Sequence, residues 1–125
     1  MAGSKKILIV EDDQMISQMY ARVLAKAGYK VDFAQSGETA IPMAEKGNYN
    51  LLLLDIMMPR MTGIEVLQKL RGANGHGLPD TKIVILTNLA QSKQSKEALA
   101  AQADGYLIKA DVVPSKLLEI IQDII

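Results

Sequence analysis

The sequence predicts an α/β domain in which five parallel strands, each followed by a helix, wind into an open sheet covered on both faces. Three observations carry this. Short apolar runs alternate five times with stretches of helical period. Most of the runs are near-continuous rather than strictly alternating, as in strands buried on both sides. The polar residues that end the runs belong to a small set able to do chemistry together.

The predicted strands are Lys6–Val10, Lys30–Ala34, Leu51–Leu54, Lys82–Leu86 and Gly105–Ile108. In the first helical stretch Ile16, Tyr20, Val23, Leu24 and Ala27 fall on one stripe, and Gly28 ends it. The second runs from about Gly37 to Lys46 with Gly47 as its stop. Pro42 inside it removes a hydrogen bond, so that helix either starts late or bends. Ile64, Leu67 and Leu70 form the third stripe, closed by Gly72, Gly75 and Gly77. A fourth helix covers roughly Lys93 to Gln102, anchored by Ala98, Leu99 and Ala101. The last opens near Pro114, a favourable first-turn residue, and buries Leu117, Leu118, Ile121, Ile124 and Ile125. Right-handed crossovers and only five βα units favour an open doubly wound sheet over a closed barrel. The 125 residues fit one domain, 1–125, with no linker and no effector domain expected after the last helix.

Composition narrows the function. Forty-nine per cent of the residues are apolar, enough to fill a core without staples. There is no cysteine, which excludes a disulfide framework, a thiolate zinc site and a cysteine nucleophile. Fourteen basic residues balance fourteen acidic ones, so no global field draws in a polyanion and direct nucleic-acid binding is not expected. The run Ile7–Val10 is too short for a signal peptide or a membrane span, and a cytoplasmic protein is expected.

Glu11, Asp12 and Asp13 follow the first strand, Asp55 closes the third after four leucines, Thr87 and Asn88 close the fourth, and Lys109 closes the fifth. Open α/β sheets bind ligands outside the carboxyl ends of their strands, where the strand order reverses. In the order 2-1-3-4-5, Asp12, Asp13 and Asp55 converge there, with Thr87 and Lys109 on the far flank. Carboxylates in one crevice repel and call for a hard cation, Mg²⁺ or Mn²⁺ in its place. Asp55 is then the best acceptor for a phosphoryl group, with Lys109 and the Thr87 hydroxyl able to meet its other oxygens. Taken singly, Asp13 reads as a helix cap, Asp12 as a surface residue, Thr87 as a turn residue and Lys109 as a solvated cation. Asp55 resists such a reading, because a carboxylate beside Leu51–Leu54 costs desolvation.

These segments resemble the receiver domains of two-component response regulators. ILIVEDD (Ile7–Asp13) is similar to that family's acidic-pair motif, and LLLLDIMMPRMTG (Leu51–Gly63) to its phospho-acceptor motif. ILTN (Ile85–Asn88) and GYLIK (Gly105–Lys109) resemble its hydroxyl and lysine segments. The resemblance implies a flavodoxin-like three-layer sandwich. It assigns Asp12 and Asp13 as the metal-binding pair, Asp55 as the phosphorylated residue and the Met57 carbonyl as a backbone metal ligand. Thr87 is then the switch hydroxyl, Lys109 the phosphate-binding lysine and Tyr106 the rotating aromatic, while Pro59 and Gly63 shape the pocket loop. The implied donor is a sensor histidine kinase or histidine phosphotransfer protein. The implied output is a downstream effector, or a homodimer, meeting the surface made by the fourth helix, fifth strand and fifth helix. Such a switch assists its own phosphorylation and slow dephosphorylation and is not a conventional enzyme.

The sequence departs from the family pattern twice. Asn88 stands where a small residue is common, and Ala110 follows Lys109 in place of the usual proline. A cis bond before Ala110 would cost several kcal/mol, so a trans bond is predicted. Both changes weigh mildly toward the alternative of an interaction module with a weakened or phosphate-independent switch. A flavin-binding domain of the same topology is disfavoured by the acids after strand 1. A metal-dependent phosphatase needs a second Asp two residues past Asp55, where Met57 stands.

Overall fold

The computed structural model describes residues 5–73, 77–87, 103–108 and 113–125. Gly75, Asn88, the predicted helix over Lys93 to Gln102, Lys109, and Ala110 with the trans bond predicted before it lie outside the described residues. The elements run β1 (Lys6–Val10), α1 (Gln14–Lys26), β2 (Lys30–Ala34), α2 (Gly37–Gly47), β3 (Leu51–Asp55), α3 (Gly63–Arg71), β4 (Lys82–Thr87), β5 (Gly105–Ile108) and α4 (Pro114–Ile124). The last is the fourth helix among the described residues and corresponds to the predicted C-terminal helix.

The sheet is parallel throughout, in the order β2-β1-β3-β4-β5. Its register explains the near-continuous apolar runs. Leu8, Val10, Leu52, Leu54, Ile83 and Ile85 face one side, where Ala40, Ala44, Ile64, Val66, Leu67 and Leu70 of α2 and α3 cover them. Ile7, Ile9, Leu51, Leu53, Val84 and Leu86 face the other, under Tyr20, Leu24, Leu117 and Ile121 of α1 and α4. Period-two alternation sends successive side chains to two different cores, so nearly every residue of β1, β3 and β4 must be apolar. Edge strand β2 has only Ala34 buried, and its sequence is accordingly mixed. Truncating a central residue such as Leu53, which has no exposed surface, costs about 2–5 kcal/mol.

The helix starts follow local chemistry. Asp13 caps α1, Ser36 caps α2 by accepting from the Thr39 amide, and Thr62 with Glu65 forms a reciprocal capping box on α3. Pro114 sits in the first turn of α4. The second helix does not start late: it begins at Gly37 with Pro42 inside it. The amide that Pro42 lacks would have bonded the carbonyl of Glu38, and both residues are exposed, so water can satisfy that oxygen. Gly47 belongs to the helix, and Asn48, at φ 53° and ψ 51°, is the left-handed cap that ends it. Strands β3 and β4 each run one residue further than predicted, so Asp55 and Thr87 lie within the sheet.

A buried cation holds the far end of α3. Arg71 donates from Nη1 to the carbonyls of Gly77 (2.9 Å) and Leu78 (2.7 Å). Its Nη2 donates to the Thr81 carbonyl (3.1 Å) and to Asp104 Oδ2 (2.8 Å). That same carboxylate oxygen accepts from the Ile83 amide at 2.7 Å, joining the starts of β4 and β5. No helix among the described residues is long and apolar enough to cross a membrane.

Candidate functional site

The carboxyl ends of β1 and β3 lie side by side, Val10 opposite Leu54, at the point where the strand order reverses. The residues that follow therefore share one crevice. Carboxylate oxygens of Glu11, Asp12 and Asp55 lie within 4.8 Å of one another. Glu11 and Asp55 are each only 2% exposed, while Asp12 is open to solvent. The Glu11 amide continues the sheet by donating to the Ala34 carbonyl at 3.1 Å.

Asp13 has a different task. Its Oδ1 accepts from the amides of Met15 (2.9 Å) and Ile16 (3.2 Å), two of the orphan donors at the start of α1. Its own amide donates to Glu11 Oε2 at 3.3 Å. The structure thus brings together Asp12 and Asp55 as the sequence predicted and adds Glu11, which the sequence reading did not select. The missed signal was spacing. An N-cap reaches the amides two and three residues on, and the stripe of α1 begins at Ile16, so the cap falls on Asp13. That leaves the two residues straight after the strand to face the crevice.

On the β3 side, Asp55 Oδ1 accepts from the Met57 amide at 3.2 Å. The loop then folds back: the amides of Met58 and Gly63 both donate to the Ile56 carbonyl, at 3.1 and 3.0 Å. Pro59 is exposed at the loop's outer edge, and Arg60 takes a left-handed conformation (φ 68°) with its Nε 3.5 Å from Glu38 Oε2. Gly63 returns the chain against β3, where a Cβ would lie 2.3 Å from the Asp55 carbonyl oxygen.

Thr87 ends the neighbouring strand and is 1% exposed. It pairs with Ile108, the residue before Lys109. Tyr106 pairs with Ile85 and is 42% exposed, an outward-facing rather than packed aromatic. Lys109 and Asn88 fall outside the described residues.

The donor set suits a hard divalent cation. All three acids offer oxygen, and no thiol exists in the chain. Carboxylates this close repel by roughly 3 kcal/mol per pair at an effective dielectric of about 20, which a divalent ion would reverse.

A doubly wound parallel sheet thus carries an acidic cluster at its switch point, followed by a tight loop and a buried hydroxyl on the adjacent strand. Residues 7–122 match the family model described as "Response regulator receiver domain". The chain belongs to that family. It is 38% identical over 104 residues to the transcriptional regulatory protein CusR of Escherichia coli, covering 83% of this chain and 44% of that protein. The chain thus spans less than half the length of the curated relatives it matches. Among solved structures it resembles the chemotaxis response regulator CheY4 of Vibrio cholerae, at 32% identity and a TM-score of 0.86, covering 97% of this chain and 98% of that one. It also resembles the response regulator TrrA of Thermotoga maritima in complex with Mg²⁺ and BeF, at 32% identity and a TM-score of 0.83, covering 97% and 99%.

Proposed function

We propose that this chain is a phosphorylation-dependent switch that accepts a phosphoryl group on Asp55. The observation that carries the reading is the convergence of Asp55 with Glu11 and Asp12 within 4.8 Å, beside buried Thr87. The Asp55 carboxylate attacks phosphorus, the P–N bond of a phosphohistidine breaks, the imidazole keeps the bonding pair and takes a proton, and an acyl phosphate forms. The donor on this reading is a sensor histidine kinase or a histidine phosphotransfer protein.

Glu11, Asp12, Asp55 and the Met57 carbonyl would hold Mg²⁺. When bound, the ion neutralises charge on the phosphoryl oxygens and screens the acids from one another. Asp13 caps the start of α1 and lies outside the metal set. The Met57 amide orients the acceptor carboxylate through its 3.2 Å hydrogen bond. Thr87 and Lys109 would meet the remaining phosphoryl oxygens.

Phosphorylation adds roughly two negative charges and strong acceptor oxygens. Thr87 then moves toward the phosphoryl group, and exposed Tyr106 turns inward into the space vacated. The surface around β5 and α4, with the predicted helix over Lys93 to Gln102, changes shape and gains affinity for an effector or a second copy of the chain. Residues 1–125 act as one receiver domain in this scheme.

Phosphoramidate, a small P–N donor, tests the transfer. Supplied with Mg²⁺, it should phosphorylate the parent and leave Asp55→Asn unlabelled. Equal labelling of the two would place the acceptor elsewhere.

A further inference from the structure

We propose that Met57 is a reversible oxidation site whose thioether state sets how fast Asp55 is loaded; the second half of this rests on Asp55 being the acceptor. Met57 and Met58 are neighbours in sequence with opposite environments. Met58 is 6% exposed and packs in the core with Leu54 and Ile56, whereas Met57 is 53% exposed. The fold-back of the loop onto the Ile56 carbonyl creates this split. Met57 is also tied to the acceptor, since its amide donates to Asp55 Oδ1.

The chemistry is an oxygen-atom transfer from a peroxide. The sulfur lone pair attacks the terminal peroxide oxygen, the O–O bond breaks, and a sulfoxide and water (or an alcohol) leave; sulfur loses two electrons and the peroxide gains them. Access by the oxidant governs the rate, so Met57 reacts long before Met58. The product replaces a soft apolar group by a strong dipole with a partly negative oxygen, on the exposed residue whose amide is hydrogen-bonded to the acceptor carboxylate. An anionic phosphoryl donor approaching Asp55 meets added repulsion, so loading slows. A reductase specific for methionine sulfoxide restores it.

Met15 and Met19, 81% and 42% exposed on α1, will also oxidise. The test therefore uses the M15L/M19L chain, with and without M57L. Each protein is treated with hydrogen peroxide. Trypsin releases Gly47–Arg60, whose fragment ions separate oxygen on Met57 from oxygen on Met58. Loading by acetyl phosphate and Mg²⁺ is then timed. Met57 should oxidise about tenfold or more faster than Met58, and loading should slow by about threefold or more, recovering after reductase treatment. The M57L chain should load at the same rate before and after peroxide. Comparable oxidation of Met58, or an equal loss of loading in M57L, would overturn the proposal. If the untreated chain is not labelled at all, Asp55 is not the acceptor and the control of loading falls, while the contrast between Met57 and Met58 is still read from the fragments.

Discussion

Gly63 lies so close to Asp55 that a Cβ at position 63 would sit 2.3 Å from the Asp55 carbonyl oxygen and 2.9 Å from the Ile56 Cα. The obstacle is backbone in both cases, so no rotamer change relieves it. The loop after the acceptor can close only over a residue without a side chain. Gly63→Ala should destabilise the domain by about 2 kcal/mol or more, because β3 and the start of α3 must part. Urea unfolding measures this, and a loss under about 0.5 kcal/mol would show that the loop accommodates the methyl.

The division of labour among the acids gives a paired prediction. Glu11→Gln removes a charge from the cluster but keeps an oxygen for the Asp13 amide, so Mg²⁺ affinity should fall about tenfold with little change in stability. Asp13→Ala removes the α1 cap, costing about 1 kcal/mol in unfolding, while Mg²⁺ affinity stays near the parent's. Calorimetric titration with Mg²⁺ separates them. The reverse pattern would assign the metal pair to Asp12 and Asp13.

Arg71 donates to three carbonyls and a carboxylate from a buried position. Replacing it by Met removes all four of these hydrogen bonds and should cost roughly 3–5 kcal/mol, even though the Ile83 amide still reaches Asp104 Oδ2 and the Thr81 amide the Leu78 carbonyl. Lys should not rescue it, since a single ammonium cannot reproduce the guanidinium fork. Thermal and urea melts of both variants check this.

Tyr49 supplies a pH dependence remote from the pocket. Burial first, then its hydrogen bond to Asp32 Oδ2 (2.6 Å) and that carboxylate's charge, push the phenol from 10.0 up to about 12. The folded chain holds this proton where the unfolded chain has lost it. The stabilisation is therefore complete below about pH 10 and disappears as pH rises through about 12. Tyr49→Phe should lose about 1–2 kcal/mol at neutral pH and show a flatter decline over that alkaline window. Unfolding free energies across about pH 8 to 12, roughly two units either side of the ordinary phenol value, supply the comparison.

The fold was legible because β1, β3 and β4 serve two cores at once, which leaves a continuous apolar run such as Leu51–Leu54 little alternative. Given the strand order 2-1-3-4-5, the meeting of Asp12 with Asp55 followed from the switch-point rule. What stayed hidden depends on single-residue geometry. Whether Glu11 or Asp13 joins the cluster turns on where α1 begins, a matter of one residue. The start of α2 at Gly37 was legible, but that the helix runs on through Pro42 was not, because a lost amide costs less where the facing Glu38 is exposed. The Arg71–Asp104 link joins residues 33 apart in sequence and carries no local pattern.

The central claim is that Asp55 accepts phosphoryl groups with the help of a bound metal. Mass spectrometry after incubation with acetyl phosphate and Mg²⁺ tests it most directly, since the added phosphoryl group can be counted and mapped. The prediction is one phosphoryl group, on Asp55, absent from Asp55→Asn and strongly reduced when the metal is chelated. No label on the parent, or a label on any other residue, would contradict it.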